Sequence, residues 1–118
     1  LHCPSTPQTR NMLATETLAT MKRGAMLVNL ARGDLVDTNA LVLALQSGHL
    51  SGAALDVCAP EPIPSGHPLL SMPNVIVAPH IASTSTRAVQ TLRETAANLV
   101  AMRLRGEPLP NVVNGVAT

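Results

Sequence analysis

Three short apolar runs, each about the length of a β-strand, alternate with segments of helical pattern and constrain the fold most. The runs cover residues 26–30, 52–57 and 74–78. Each is apolar on both faces, as in a parallel sheet that is covered on both sides. A strand, a helix and a second strand within about 30 residues form a βαβ unit. The sequence therefore predicts an α/β fold with a parallel sheet.

Helical patterns fill the segments between and after these runs. The first two helices are short, and each is followed by a glycine that can close a helix in a left-handed conformation, Gly24 or Gly48. Asp37 is the predicted N-cap of the second helix. The third helix is long, and Gly106 ends it before two prolines. The predicted helices are residues 15–23, 38–47 and 84–105, with a single turn at 67–71 and an extended tail at 111–118.

Composition and charge exclude several classes of protein. The chain is 46% hydrophobic and 13% charged, which is not the composition of a disordered chain. Its net charge of +1 and its lack of Phe, Tyr and Trp argue against a nucleic-acid or anionic-membrane partner. No window approaches the roughly 18 apolar residues of a membrane span.

The spacing of the cysteines and histidines indicates the redox compartment of the protein and whether a metal site is expected. Cys3 and Cys58 lie 55 positions apart and belong to no Cys-x-x-Cys pair. Two lone thiols fit a reducing compartment, so we expect a cytoplasmic protein. The four histidines have no metal-ligand spacing, and no metal site is expected.

Ionisable side chains follow the predicted strands at the point where each strand ends. Arg32 comes after the first run, Asp56 and Glu61 are at the end of the second, and His80 follows the third. Because ligands of open α/β sheets bind outside the carboxyl ends of the strands, we expect these side chains to share one edge of the sheet. Taken singly, Arg32 could be a surface ion-pair residue, and His80 and Glu61 ordinary loop residues. Asp56 lies in an apolar run, so it either bonds the backbone or meets a ligand.

Together these residue types suit the reduction of a 2-keto acid by a nicotinamide. An arginine can hold a carboxylate with two parallel hydrogen bonds. A histidine titrates near neutrality, and a carboxylate beside it favours the imidazolium. That imidazolium can protonate a carbonyl oxygen as a hydride reaches the carbon.

Four ordered motifs cover essentially the whole chain, and through them the sequence resembles the D-isomer-specific 2-hydroxyacid dehydrogenases. The motifs are His2-Cys3-Pro4 with Thr9, Met21-Lys22-Arg23-Gly24 leading to Asn29-Leu30-Ala31-Arg32-Gly33, Gly52-Ala53-Ala54-Leu55-Asp56-Val57 followed by Pro60-Glu61-Pro62, and Asn74-Val75-Ile76-Val77-Ala78-Pro79-His80-Ile81. Glu61 lies 29 positions after Arg32 and 19 before His80, and both spacings suit the family. The loop after Glu61 and the segment 106–110 look most like those of glyoxylate/hydroxypyruvate reductases.

The resemblance implies an NAD(P)-dependent D-2-hydroxyacid dehydrogenase or reductase and a role for each strand-end residue. Arg32 would bind the substrate carboxylate, His80 would be the general acid/base, and Glu61 would hold His80. Asp56 would lie near the nicotinamide carboxamide. The remaining predicted cofactor contacts, for NAD or NADP, are Pro4, Thr9, Leu30, Ala31, Arg32, His80 and Ala82.

The resemblance also implies a domain organisation. Residues 1–105 would be the C-terminal half of a Rossmann-like, parallel-sheet nucleotide-binding domain with a long C-terminal helix. Residues 106–118 would return to a substrate domain. The Gly-x-Gly-x-x-Gly fingerprint is not in the sequence. We therefore expect the chain to be the C-terminal portion of a longer enzyme, a homodimer when complete, and the isolated 118-residue chain to be inactive.

Two departures and two alternatives accompany the resemblance. Cys58 stands where many members carry an aromatic residue, and Ala82 stands where glycine is commoner and cannot reach glycine's dihedrals. One alternative is a non-enzymatic, dinucleotide-sensing protein of the same fold, like the C-terminal binding protein corepressors. The other is the substrate choice of D-3-phosphoglycerate dehydrogenases.

Overall fold

The computed structural model describes residues 1–113, which divide into two compact units. The first unit is Leu1–Ala82, and the second begins at Ser83. The first unit contains three strands and two short helices. They are α1 (Thr15–Thr20), β1 (Ala25–Asn29), α2 (Thr38–Gln46), β2 (Leu50–Leu55) and β3 (Val75–Val77).

The sheet is parallel, with the strands in the order β1-β2-β3. β1, α2 and β2 form the predicted βαβ unit. A short 3₁₀ turn at Gly33–Leu35 follows β1. A second one, at Pro68–Leu70, precedes β3. The second turn lies where the sequence predicts one. The α/β class with a parallel sheet is confirmed.

Helix α2 forms where the sequence predicts it. The Asp37 side chain accepts hydrogen bonds from the Asn39 and Ala40 N–H groups, both at 3.0 Å, which satisfies the free donors of the first turn. Gly48 has a φ of +66° just past the end of the helix. Leu41 and Leu45 are buried against the sheet.

The prediction for helix α1 is wrong at its end. The helix stops at Thr20 rather than at residue 23, because Met21 is extended, with ψ 149°, and its side chain packs against the core. Tertiary packing thus overrides the helical pattern of the last residues. Gly24 has the expected left-handed conformation, with φ +81°, but it lies in the turn to β1.

In the described residues one face of the sheet is covered and the other is open. One face carries the hydrophobic core, to which Leu27 of β1 and residues of α1 and α2 contribute. On the other face Met26, Val28 and Ile76 are 66%, 46% and 70% exposed. The two short helices of this unit pack on the core side, which leaves the opposite side open.

The second unit contains the long helix α3 (Thr86–Leu104). The Ser85 side chain accepts a hydrogen bond from the Ala88 N–H at 3.2 Å and caps the helix. Gly106, with φ +71°, follows its last turn. The predicted extended tail begins instead in a turn, in which Asn111 has φ +60°. Residues 114–118 of that tail lie outside the described residues.

Gly33 allows two site-bearing loops to touch, and a side chain there is expected to destabilise the fold. A Cβ at Gly33 would collide with the backbone carbonyl of Cys58. We predict that Gly33→Ala lowers the free energy of unfolding by roughly 3 kcal/mol, because the backbone cannot give way as a flexible side chain can. Urea denaturation measures the change. Gly66→Ala is the matched control, since a Cβ at Gly66 meets nothing within 4 Å; equal stabilities of the two variants would contradict the prediction.

Candidate active site

The carboxyl ends of the three strands meet at one edge of the sheet. The Asp56 N–H donates to the Asn29 carbonyl at 3.0 Å, and the His80 N–H donates to the Asp56 carbonyl at 2.8 Å. These bonds extend the sheet ladder past the last paired residues, so the segments that carry the strand-end residues have fixed starting points. These bonds bring Asp56 and His80 to the predicted common edge.

His80 and Glu61 form a direct pair at this edge. His80 Nδ1 lies 2.7 Å from Glu61 Oε1. An ionised carboxylate can only accept hydrogen bonds. Nδ1 therefore carries a proton and donates a hydrogen bond to Glu61. Within residues 1–113 the opposite nitrogen, Nε2, has no hydrogen-bond partner. About 44% of the His80 side chain is exposed, so Nε2 can reach a ligand.

Asp56 is buried and bonded to the backbone beside His80. It is 5% exposed, and its two carboxylate oxygens accept hydrogen bonds from the Ile81 N–H at 2.8 Å and the Ala82 N–H at 3.0 Å. Of the two alternatives that the sequence leaves open for this carboxylate, the backbone partner is present. Asp56 therefore holds the turn that follows β3, in which His80 has a left-handed φ of +57°.

The loop that carries Glu61 rests on the turn after β1 and on the start of α2. The Thr38 hydroxyl, at the start of α2, donates to the Ala59 carbonyl at 2.7 Å. Gly33 lies against the backbone of Cys58. Together these contacts fix the segment just before Glu61 relative to the sheet edge.

The structure places the predicted catalytic residues in two clefts. Arg32 does not line the cleft that holds His80 and Glu61; it lines the second one. The first cleft, of about 530 Å³, has a mostly apolar wall interrupted by four polar side chains. It is lined by Asp56, Cys58, Glu61, Pro62, Ile63, Leu70, Val77, Ala78, Pro79 and His80.

The second cleft brings together most of the predicted cofactor contacts from the first half of the chain. It has a volume of about 500 Å³ and is lined by His2, Cys3, Pro4, Ser5, Leu30, Ala31 and Arg32. Thr9 is not among these residues. Its hydroxyl donates to the Pro4 carbonyl at 2.7 Å and so shapes the loop that forms one wall.

Chemically, the second cleft suits a ligand with a flat or sugar-like part and an anionic part. Leu30 is 44% exposed and offers apolar surface to such a part. Beside it the exposed Arg32 has one guanidinium nitrogen, Nη1, bonded to the Ala31 carbonyl at 2.7 Å, and its remaining donors suit an anion. This donor set fits one side of a dinucleotide.

The departure from glycine at position 82 causes no strain at that residue. The positive φ in this turn belongs to His80 and not to Ala82. Ala82 uses only its N–H, which donates to Asp56. An alanine therefore serves the turn as it stands, since only a left-handed φ would favour glycine.

Cys58 lies in the first cleft beside Glu61. Partial burial, and secondly the charge of Glu61, raise the pKa of the Cys58 thiol above its ordinary value. Because only the thiolate reacts with iodoacetamide, we predict that the midpoint of the pH–rate profile for Cys58 lies above that of the same thiol in urea.

The measurement uses a Cys3→Ser background, so that one thiol is followed. Adding Glu61→Gln is expected to lower the midpoint only part of the way, since burial is the larger cause. A midpoint in the folded protein at or below that in urea would contradict the assignment.

Sequence reasoning missed three residues that shape the site. Asn29 is 1% exposed and bonds the turn before Arg32, while Thr38 and Gly33 hold the loop before Glu61. Asn29 carried a usable signal, because it is a polar residue inside an apolar run. Thr38, at the start of α2, and Gly33 act through contacts with residues far away in the sequence, which no local pattern encodes.

Within residues 1–113 there is no group of three or more His, Cys, Asp or Glu residues placed to hold a metal ion. No helix in that part of the chain has the length and apolar content needed to cross a membrane.

The first unit of the chain matches a known protein family. Residues 1–82 match a family model described as "D-isomer specific 2-hydroxyacid dehydrogenase, NAD binding domain". Among curated relatives, the chain is 50% identical over 115 residues to a "Glyoxylate reductase" of Thermofilum pendens, covering 97% of this chain and 34% of that protein. The chain spans about a third of the length of the curated relatives that it matches.

Solved structures give the same result for the fold. A D-isomer specific 2-hydroxyacid dehydrogenase from Xanthobacter autotrophicus, solved with NADPH and MES, matches with a TM-score of 0.82 at 42% identity over 96% of this chain and 46% of that one. A D-lactate dehydrogenase from Lactobacillus jensenii, solved with NAD⁺, matches with a TM-score of 0.89 at 36% identity over 97% of this chain and 38% of that one.

Proposed function

Because the chain belongs to the D-isomer-specific 2-hydroxyacid dehydrogenase family, we propose that it is part of an oxidoreductase that transfers a hydride between NAD(P)H and a small 2-keto or 2-hydroxy acid. The observation that carries the proposal is the 2.7 Å contact of His80 Nδ1 with Glu61 Oε1, at the sheet edge that also presents Arg32. Relatives named glyoxylate reductase and hydroxypyruvate reductase support glyoxylate and hydroxypyruvate as substrates.

The activity belongs to the whole protein, and the domain organisation is part of the proposal. Residues 1–105 form the C-terminal half of the nucleotide-binding domain, and residues 106–118 lead to a substrate domain. We propose that the 118-residue chain by itself is inactive, because a substrate bound at Arg32 must also be enclosed by the substrate domain.

The cofactor is NAD or NADP, since structural neighbours were solved with each. When bound, the nicotinamide supplies or accepts the hydride. The exposed Leu30 side chain and the Arg32 guanidinium of the second cleft fit one side of a dinucleotide and support the assignment of Pro4, Leu30, Ala31 and Arg32 to the cofactor. The proposed cofactor contacts also include Thr9, Asp56, His80 and Ala82.

In the proposed mechanism the residues of this chain bind the acid and move one proton. The Arg32 guanidinium holds the carboxylate of the 2-keto acid in a charge-assisted, bidentate contact. His80 gives the proton on Nε2 to the keto oxygen as the carbonyl carbon is reduced, and it takes the proton back in the reverse direction. Glu61 accepts a hydrogen bond from Nδ1, which orients the ring.

The names of the relatives do not favour the sensing alternative, and one relative bears on the alternative substrate choice. The relative and the solved structures described for the site have reductase and dehydrogenase names, which disfavours a purely sensing, corepressor-like role. A D-3-phosphoglycerate dehydrogenase is 44% identical over 114 residues, so phosphorylated hydroxy acids are tested beside the smaller ones.

The proposal places the protein in the cytoplasm as a homodimer that acts on a small molecule. Both cysteines are free thiols in the structure, which fits a reducing compartment. Sedimentation velocity on the protein from the complete reading frame tests the dimer.

Initial rates of NADH and NADPH oxidation test the function. The protein from the complete reading frame is mixed with glyoxylate, hydroxypyruvate or 3-phosphohydroxypyruvate, and the alcohol product is quantified against the cofactor consumed. We expect one alcohol per cofactor oxidised, with glyoxylate or hydroxypyruvate preferred. Cofactor binding without turnover of any of these acids would move the protein to the sensing class.

A further inference from the structure

Asn29, the last residue of β1, is a buried polar side chain that the proposed mechanism does not use. It is 1% exposed. Its carboxamide spans the turn that follows the strand: Nδ2 donates to the Arg32 carbonyl at 2.9 Å, and Oδ1 accepts from the Ala31 N–H at 3.1 Å. A buried amide without partners would be costly, so these two bonds are strongly retained.

The same turn carries Arg32 and is tied to the sheet at its base. The Asn29 carbonyl accepts the Asp56 N–H at 3.0 Å, which fixes the start of the turn. The side chain of Asn29 fixes its far end. The Arg32 guanidinium then bonds the Ala31 carbonyl through Nη1 at 2.7 Å, so both the backbone and the side chain of Arg32 depend on this turn.

We propose that Asn29 is a positioning residue that sets the direction of Arg32 toward the substrate carboxylate. The inference rests on the proposed function, since it assumes that Arg32 binds a carboxylate. Only a neutral side chain with one donor and one acceptor can satisfy both backbone groups. Aspartate loses the donor, and alanine leaves both backbone groups without their partner.

The test compares substrates with and without a carboxylate. For each variant, kcat/KM is measured with hydroxypyruvate and with its methyl ester, and the acid/ester ratio is the readout. We expect Asn29→Ala to lower this ratio about 10- to 100-fold, because a misplaced binding group costs the contact that it makes. When Asn29→Ala is combined with Arg32→Ala, we expect the acid/ester ratio to fall no further than in Arg32→Ala alone, since both substitutions act through one contact.

A core truncation is the matched control for general loosening. Val42→Ala removes buried volume from α2 and is expected to destabilise the fold while leaving the acid/ester ratio unchanged. Thermal unfolding of all variants sets an assay temperature at which each is folded. An unchanged ratio in Asn29→Ala, or an equal fall in Val42→Ala, would overturn the inference.

A binding measurement separates this inference from the proposed function. The affinity for oxamate, a carboxylate-bearing mimic of a 2-keto acid, is measured by calorimetry with NADH present. We expect about tenfold weaker binding in Asn29→Ala and no change in Val42→Ala. A wild type that binds oxamate but reduces no keto acid contradicts the proposed function alone. A wild-type protein that neither binds oxamate nor reduces a keto acid overturns the inference as well as the proposed function, because Arg32 then binds no carboxylate.

Discussion

Replacing His80 by glutamine is expected to lower kcat for glyoxylate and hydroxypyruvate by about 10²- to 10⁴-fold, the usual contribution of a general acid. Glutamine has a similar length and can still donate a hydrogen bond toward Glu61, which lies 2.7 Å from Nδ1. It cannot give a proton to a keto oxygen. The loss therefore falls on the chemical step and not on the architecture of the loop.

Stopped-flow and steady-state rates measure the effect, and titration of NADH fluorescence checks that the cofactor still binds. Glu61→Gln is the companion variant, since it retains a hydrogen-bond acceptor but removes the charge. We expect a loss of about 10- to 100-fold in kcat from that change. A His80→Gln enzyme within a few-fold of the wild-type kcat would contradict the role of His80.

Replacing Arg32 by leucine is expected to lower kcat/KM for glyoxylate by about 10³-fold. Two charge-assisted hydrogen bonds to a carboxylate are lost, each contributing about 1.5–3 kcal/mol. Arg32→Lys retains the charge without the bidentate geometry, and a loss of about 10- to 100-fold is expected. Most of the effect should appear in KM, because the carboxylate is held before and during the reaction.

Arg10→Leu is the matched control for this series. Arg10 is also an exposed arginine of the first unit, but it pairs with Asp34 at 3.5 Å and lines neither cleft. Its loss is expected to change kcat/KM less than about twofold, as for an ordinary surface ion pair. Equal losses in Arg10→Leu and Arg32→Leu would indicate a general effect of surface charge and contradict the assignment of Arg32.

The architecture and the strand-end residues could be predicted from the sequence because short-range patterns encode them. Apolar runs bounded by Gly and Pro define the strands, and Asp37 and Gly48 delimit α2. The rule that parallel strands present their carboxyl ends at one edge then brings Asp56 and His80 together. The pairing of Glu61 with His80 follows from the family resemblance and is confirmed by the contact between them.

The remaining features depend on tertiary packing that no local pattern contains. Helix α1 stops at Thr20 because Met21 joins the core. The exposure of Met26 and Ile76 depends on which elements cover the second face. The contact of Gly33 with Cys58 joins two loops that are far apart in sequence. The positive φ of His80 belongs to a non-glycine residue, and no local pattern predicts it.

Transfer of deuterium from the cofactor to the acid tests the central claim most directly. The protein from the complete reading frame is incubated with glyoxylate and with NADH or NADPH carrying deuterium on either face of nicotinamide C4. Mass spectrometry of the glycolate follows, beside the His80→Gln variant. The account predicts one deuterium per glycolate from one of the two labelled faces, and almost no labelled product in the variant. Bound cofactor with no deuterium in any product would contradict it.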